Sequence, residues 1–187
     1  MTSSQKRCPR LFSIGHSDRS FESLLQLLEV SSIRMVADIR SNPASSRFPH
    51  FERHTFSLAL EDRGIAYRWF RALGGRVSTL PGESWMSKHR ALPETLRPYA
   101  NQMNQADFDE SVQELYGMAS SAVTVMLCAE QDYRRCHRAL LSDKLLLMGA
   151  RVTHIIDENH VAEHALHPDL ELIDGEIRYT PHQLSLL

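Results

Sequence analysis

Four short apolar segments, separated by amphipathic helical patterns, constrain the fold of this chain more than any other feature of its sequence. Each segment is rich in aliphatic and β-branched residues and ends in polar residues, which is typical of the central strands of a parallel sheet covered on both faces. The predicted strands are RLFSIGHS (10–17), IRMVADIR (33–40), AVTVMLCAE (122–130) and RVTHIID (151–157).

Helical patterns alternate with these strands. Their apolar residues recur at spacings of three and four, so that each helix presents one apolar face to a sheet. Ser20 is a suitable N-cap for the first helix, and Gly64 and Gly149 are suitable C-terminal stops. Because the alternation requires right-handed crossovers, it predicts an α/β fold with a mostly parallel central sheet flanked by helices. The predicted helices span 20–32, 56–64, 106–121 and 136–149.

The chain has 187 residues, a length that suits one domain with its own hydrophobic core. No internal repeat or Gly/Ser linker divides it. We therefore predict a single domain, with a flexible tail at 1–9, a core at 10–165 and a C-terminal extension at 166–187.

Residues 71–105 form a Gly/Pro-rich segment between the second and third predicted strands. Long loops in compact domains often carry function, so we predict an excursion over one edge of the sheet that serves as a lid or substrate wall. The alternative is an ordinary insertion packed by Trp85 and Tyr99.

The composition of the chain disfavours several classes of protein. The formal net charge is −2, which provides no overall basic field of the kind that favours nucleic acid, although it leaves room for a local basic patch. The N-terminal segment lacks the apolar run of a signal peptide, and no stretch approaches the roughly 18 apolar residues of a membrane helix. Three cysteines without a secretory signal favour free thiols in the cytoplasm and no membrane partner.

Polar residues stand where three predicted strands end. In open α/β sheets, ligands bind beyond the carboxyl ends of the strands. If the three strands are neighbours, His16, Asp38, Arg40, Cys128 and Glu130 converge on one rim. Each residue also has a structural interpretation: His16 as a helix cap, Asp38 with Arg40 as an ion pair on one strand face, and Cys128 as a small core residue.

The stretch CHR at 136–138 begins the helix that follows the third of these strands. A helix N-terminus beside arginines is suited to a phosphate or carboxylate, so His137 and Arg138 are candidate anion ligands. The same surroundings lower the pKa of a thiol, which makes Cys136 a candidate reactive thiolate. The alternative is an unreactive buried cysteine.

A metal site is not favoured by the cysteine spacing. Structural zinc usually has two closely spaced ligand pairs, whereas Cys128, Cys136 and His137 form a Cys-x7-Cys-His pattern without a second cysteine pair. His160 and His164 would share one face of a helix, but they lack the glutamate of an H-E-x-x-H motif. We therefore predict no metal ligands and leave the cofactor open.

The segment RSNPASSRFPHFERHTF at 40–56 mixes basic and aromatic residues. Such a loop can hold a phosphate or stack on a base, which makes Ser41 and Arg47 candidate binding residues beside Arg40. The alternative is a solvated loop whose phenylalanines pack into the core.

The combination of IGHS, DIRSNPASS and LCAE…CHR resembles the domain of unknown function 488 family, over about residues 11–165. ADIR replaces the VDVR-like sequence expected in the second strand, a conservative difference. The resemblance implies a small bacterial or archaeal cytoplasmic protein and supplies no reaction. It adds Gly74 and Gly75 to the candidate site. The family's signature positions fall on Gly15, His16, Asp38, Arg40, Pro43, Gly74, Gly75, Cys128, Glu130, Cys136, His137 and Arg138.

Three functions are compatible with these residues. The first is an enzyme acting on a phosphate-bearing or nucleotide-like substrate, with a thiol nucleophile or redox thiol and nearby proton-transfer groups. The second is a non-catalytic nucleic-acid or nucleotide binding module that uses the 40–56 loop with Arg134, Arg135 and Arg138. The third is a metal or thiol-redox protein. The enzyme hypothesis takes as catalytic candidates Cys128, Glu130, Cys136, His16 and Asp38. Its candidate anion-binding residues are Arg40, Ser41, Arg47, His137, Arg138, Gly74 and Gly75.

Overall fold

A six-stranded sheet forms the centre of the protein in a computed structural model, which describes residues 8–44, 47–77 and 88–181. The strand order is β3-β2-β4-β1-β5-β6, and all neighbouring pairs are parallel except β5 with β6. The predicted α/β class with a mostly parallel sheet is therefore confirmed. The strands are β1 (Arg10–Gly15), β2 (Met35–Asp38), β3 (Ala66–Trp69), β4 (Thr124–Cys128), β5 (Arg151–Ile155) and β6 (Val161–Glu163).

Helices cover both faces of this sheet. On one face, Leu24 and Leu28 of the first helix pack with Phe56 of the second. On the other face, Phe108 and Leu141 belong to a second core cluster. Because both faces are covered, every residue of β4 is buried, which explains its continuous apolar sequence. The helices are α1 (Phe21–Val30), α2 (Arg53–Glu61), α3 (Arg97–Gln102), α4 (Ala106–Ser121) and α5 (His137–Leu147).

The helix boundaries follow local chemistry. The Ser20 hydroxyl accepts a hydrogen bond from the Ser23 amide and caps α1. Gly64 and Gly149 follow α2 and α5 with φ angles of +69° and +90°, a left-handed conformation that glycine adopts without strain. The three signals predicted from sequence therefore mark real helix ends.

The order of the strands brings their polar ends to one edge. β1 and β2 lie on either side of β4, with Gly15 level with Cys128 and Asp38 level with Leu127. The parallel register therefore delivers the residues that follow β1, β2 and β4 to the same carboxyl edge of the sheet.

An edge strand and a C-terminal hairpin were not predicted from the sequence. β3 is an edge strand whose residues alternate between exposed and half-buried, so it lacks the apolar run of a central strand. A hairpin of β7 (Leu170–Ile173) and β8 (Glu176–Tyr179) lies in the predicted C-terminal extension. Ile177 and Tyr179 of this hairpin are buried in the core, so the extension completes the domain.

The interpretation of the histidine-rich segment as a helix was wrong. Residues Val161–Glu163 pair with β5 as an antiparallel strand, and backbone pairing with that open sheet edge replaces the helical spacing. His160 is exposed beside Asp157, whereas His164 is buried. The two imidazoles therefore do not share a ligand-binding face.

The Gly/Pro-rich segment 71–105 is described only at its two ends. It begins with a short 3-10 turn at Arg71–Leu73 and ends with α3, where the buried Tyr99 packs against Phe108. The predicted contact of Trp85 lies outside the described residues. Across the described ranges, none of the helices combines the length and apolar character needed to traverse a bilayer.

A buried chain of hydrogen bonds ties the C-terminal hairpin to the sheet. The Tyr179 hydroxyl donates to Asp143, and His164 Nε2 lies 2.9 Å from the same carboxylate. His164 Nδ1 then accepts from His154 Nε2 at 2.9 Å, and His154 Nδ1 accepts from the Ser13 hydroxyl at 2.5 Å. Burial, together with neighbouring His164 and cationic arginines, lowers the pKa of His154 to about 3.

Neutral His154 makes the stability of the fold sensitive to acid. Its imidazole takes up a proton near pH 6.5 when unfolded but only near pH 3 when folded, so the free energy of unfolding falls as pH drops through this interval. The slope of the free energy of unfolding against pH should be smaller in His154→Gln than in the wild-type protein, by about 1.4 kcal/mol per pH unit. Urea denaturation from about pH 7 to about pH 5 measures this pH dependence. The exposed His54→Gln is the control, and an equal slope in both variants would contradict the prediction.

Candidate functional site

A buried ion pair closes the end of β2. Asp38 accepts hydrogen bonds from Arg40 Nε at 2.9 Å and Nη2 at 2.5 Å, and from the Tyr67 hydroxyl at 2.6 Å. Arg40 Nη1 donates to the backbone carbonyl of Phe51 at 2.8 Å. Asp38 is fully buried and Arg40 nearly so. Most of the N–H donors of the Arg40 guanidinium are therefore used by acceptors inside the protein.

His16 lies against the same guanidinium. Its Nδ1 donates to the Ser17 carbonyl at 2.9 Å, which leaves the Nε2 lone pair facing Arg40 Nη1 at 3.5 Å. Burial, and next the positive charge of Arg40, lower the pKa of His16 to about 4. The imidazole is therefore neutral at physiological pH, and it packs on the Phe51 ring at 4.3 Å between centroids.

Cys128, Cys136 and His137 form a compact group that we call the thiol–imidazole cluster. Cys128 ends β4, Cys136 is the N-cap of α5 and His137 is its first residue. The two sulfurs lie 3.4 Å apart, and His137 Nδ1 lies 3.9 Å from Cys128 and 3.6 Å from Cys136. His137 Nε2 lies 3.0 Å from the Ile39 carbonyl oxygen, to which it donates.

The two thiols of the cluster differ in acidity. The hydrogen bond between the two thiols, and next the positive charge of Arg138, lower the pKa of Cys136 to about 6. The same contact, together with burial, raises the pKa of Cys128. Cys136 is therefore the first of the pair to become a thiolate, which is the form that acts as nucleophile or metal ligand.

Arg138 supports the cluster from behind. It is almost fully buried, and its Nη2 donates to the carbonyls of Glu130 at 2.5 Å and Gln131 at 3.1 Å. It thereby fixes the turn between β4 and α5. Gly15 allows this turn to approach β1, because a Cβ atom there would lie 1.9 Å from the Glu130 carbonyl oxygen.

Gly74 and Gly75 pack the chain against the site. A Cβ atom at Gly74 would lie 2.6 Å from Ser41 Cα, and one at Gly75 would lie 2.2 Å from His137 Nδ1. The segment is held there by the Arg76 amide, which donates to the Ser41 hydroxyl at 2.6 Å. Gly74 therefore allows close packing against Ser41, and Gly75 allows close packing against the His137 imidazole.

Two adjoining pockets open at the carboxyl edge of the sheet and share Arg40, Asn42, Arg76 and Ala129. We call them together the cleft. The first, of about 520 Å³, is lined on one side by the largely buried thiol–imidazole cluster. The second has about 590 Å³. The first pocket is further lined by Ser41, Gly75, Thr95, Leu96, Glu130 and Arg135, and the second by His16, Ser17, Asp18, Ala44, Arg47 and Phe48.

Most of the predicted site residues meet at this cleft. Asp38, Arg138 and Gly74 lie behind its wall, where they hold other groups in position. The predicted residues on the cleft wall are His16, Arg40, Ser41, Arg47, Gly75, Cys128, Glu130, Cys136 and His137.

The sequence analysis missed Arg76, and it assigned Arg135 to the non-catalytic binding hypothesis but not to the anion-binding residues of the enzyme. Both side chains are exposed on the cleft, and within the described ranges no carboxylate forms an ion pair with either one. The available signal for Arg76 was its position directly after the Gly74–Gly75 pair. Arg135 is the last residue before Cys136, at the start of α5.

The fold and the cleft define a class: a parallel α/β protein with a thiol–imidazole cluster in a pocket at the carboxyl edge of its sheet. The sequence model of the domain of unknown function DUF488 matches residues 20–145, which is more than half of the chain. The protein therefore belongs to the DUF488 family. No curated protein and no solved structure matches the chain.

The contact of Gly75 with His137 yields a stability prediction. We expect Gly75→Ala to cost about 1–3 kcal/mol, because the added methyl group must displace the imidazole or the backbone. Gly117→Ala is the matched control: it has open space on α4 and should stabilise by up to about 1 kcal/mol. Urea denaturation measures both. An unchanged stability in Gly75→Ala would contradict the contact.

The ion pair at the end of β2 yields a second prediction. Asp38→Asn leaves the buried Arg40 charge uncompensated, and we expect it to cost about 3–5 kcal/mol. Tyr67→Phe removes one hydrogen bond from a carboxylate that stays paired, so its cost should be about 1.5–3 kcal/mol. Denaturant unfolding of the two variants compares them, and an equal cost would argue against the ion pair as the dominant contact.

Proposed function

We propose that this protein is an enzyme that acts on an anionic, phosphate-bearing small molecule in the cleft, with the thiol–imidazole cluster as its reactive centre. One observation carries the proposal: the same pocket is lined by the cluster and by two exposed arginines, Arg76 and Arg135, that pair with no described carboxylate. Reactive groups and anion-binding groups thus share one concave surface, as expected of an active site.

Anion binding is assigned to the exposed arginines of the cleft. Arg40 and Arg138 make their hydrogen bonds inside the protein, so Arg76, Arg135 and Arg47 are the cations available to a ligand. A guanidinium can hold two phosphate oxygens at once, which suits it to this class of ligand. The chain has a formal net charge of −2, so this local group stands out against an acidic background.

The groups needed for chemistry lie in the same pocket. Cys136 is the more acidic thiol of the cluster, and His137 Nδ1 lies within 3.6 Å of its sulfur. Glu130 is exposed on the same wall and is available for proton transfer. This arrangement favours a catalytic role over passive binding.

The dimensions of the cleft favour a small substrate. Each pocket, at about 520 and 590 Å³, falls within the roughly 300–1,000 Å³ of small-molecule sites. A nucleotide or a sugar phosphate is of this size. The proposal assigns the protein to the cytoplasm, where Cys128 and Cys136 remain free thiols.

Binding and turnover test the proposal separately. We expect nucleotides, sugar phosphates or pyrophosphate from a ligand panel to raise the melting temperature of the wild-type protein. Arg76→Ala and Arg135→Ala should each weaken binding about tenfold or more, because each removes a charge-assisted contact. The control is Arg34→Ala, an exposed arginine that precedes β2 and so lies at the opposite edge of the sheet.

Turnover is followed by mass spectrometry of the ligands that bind. Cys136→Ser should leave them unchanged, whereas the wild-type protein converts at least one. If no phosphate-bearing compound stabilises the wild-type protein, or if Arg34→Ala weakens binding as much as Arg76→Ala, the proposal fails.

A further inference from the structure

The three side chains of the thiol–imidazole cluster lie at the separations that a tetrahedral metal ion imposes on its ligands. Zinc binds sulfur at about 2.3 Å and imidazole nitrogen at about 2.0–2.1 Å, so tetrahedral ligands lie about 3.8 Å apart for two sulfurs and about 3.5 Å for sulfur and nitrogen. The observed separations are 3.4 Å between the sulfurs and 3.6 and 3.9 Å from the sulfurs to His137 Nδ1. The three atoms form a group that can hold one ion.

The imidazole of the cluster has the tautomer that a metal ligand needs. His137 Nε2 faces the Ile39 carbonyl oxygen at 3.0 Å, and because a carbonyl can only accept, Nε2 carries the proton. The Nδ1 lone pair is thereby directed at the two sulfurs. A hydrogen bond from the second ring nitrogen to a carbonyl is the usual support of a metal-binding histidine.

The surroundings of Nδ1 keep the site accessible. A Cβ atom at position 75 would lie 2.2 Å from Nδ1, so only glycine leaves this nitrogen uncovered. The Tyr99 ring packs on the imidazole at 4.9 Å between centroids and restricts its rotation. Arg138 fixes the turn that joins the two cysteines. The ligand atoms are therefore held in position by contacts that do not involve a metal.

We infer that Cys128, Cys136 and His137 bind a zinc-type divalent ion and leave its fourth coordination position open to the cleft. Two thiolates and one imidazole suit zinc, whose charge also balances two negative sulfurs in a buried setting. Among the described residues no fourth protein ligand joins the group, and all three ligands line the cleft wall. An open position of this kind is typical of catalytic zinc.

The fourth ligand is water or an oxygen of the anionic substrate. This part of the inference rests on the proposed function, whereas binding of the ion by the three side chains does not. Arg76 and Arg135 line the same pocket as the three ligands, so a phosphate that they bind shares the pocket to which the fourth coordination position opens.

Metal content of the full chain tests the inference. Untagged protein is purified under reducing conditions, stripped with a chelator, reloaded with zinc and analysed by elemental mass spectrometry. We expect one zinc ion per chain in the wild-type protein. Cys128→Ser, Cys136→Ser and His137→Asn should each lower zinc affinity about tenfold or more. The matched control is Cys8→Ser, which changes the exposed cysteine outside the cluster and should retain the zinc.

Cobalt substitution tests the site in the wild-type protein, so the test remains valid if a variant does not fold. Cobalt in the wild-type protein should give a thiolate charge-transfer band and the intense visible bands of tetrahedral coordination. Failure of reduced wild-type protein to take up zinc or cobalt would overturn the inference, as would loss of the metal in Cys8→Ser.

Arg76→Ala separates the two proposals. It should keep the zinc and lose the stabilisation by phosphate-bearing ligands. If the wild-type protein binds zinc but no phosphate-bearing ligand, the inference stands and the proposed function fails. If it binds such ligands but neither zinc nor cobalt, the inference alone fails.

Discussion

The buried ion pair between Asp38 and Arg40 is the interaction on which the carboxyl edge of the sheet depends. Two charges can stay buried only if their hydrogen-bonding groups are satisfied, so the pair recruits Tyr67 from β3, the Phe51 carbonyl and the imidazole of His16. Asp38 and Arg40 also flank Ile39 in the chain. The carbonyl oxygen of Ile39 accepts a hydrogen bond from His137 Nε2 and sets the orientation of the imidazole. The ion pair thus helps to position the thiol–imidazole cluster, because it flanks the one backbone carbonyl that orients the His137 imidazole.

The arginines of the site divide into two groups by burial. Arg40 and Arg138 lie inside the protein and bind backbone carbonyls or a carboxylate, so they fix the ends of β2 and β4. Arg76 and Arg135 lie on the cleft and keep their guanidinium groups exposed. Under the proposed function, rigid positioning and ligand binding therefore fall to different side chains. This division allows the cluster to be held in position without any bound ligand.

The sequence predicted the fold class and the edge of the sheet at which the cleft lies, because both follow from local patterns. The apolar runs of β1, β2 and β4 end in polar residues, and parallel strands deliver these ends to one edge. It did not predict β3, since an edge strand has no continuous apolar run. It also misjudged the histidines at 160–164, because pairing with β5 is a contact between distant segments. Of the site, it identified the residue types but not their division between the cleft wall and the interior.

By itself, the sequence determined which residues end the central strands and which begin α5, since the period of apolar residues and the capping signals are local. Only the tertiary structure decided that Cys128, Cys136 and His137 Nδ1 lie within 4.8 Å of one another, and that Gly75 leaves the imidazole uncovered. It also decided which arginines donate their hydrogen bonds to acceptors inside the protein. The physical reason is that burial, hydrogen-bond partners and separations between side chains are set by neighbours that are remote in the chain, which no local spacing encodes.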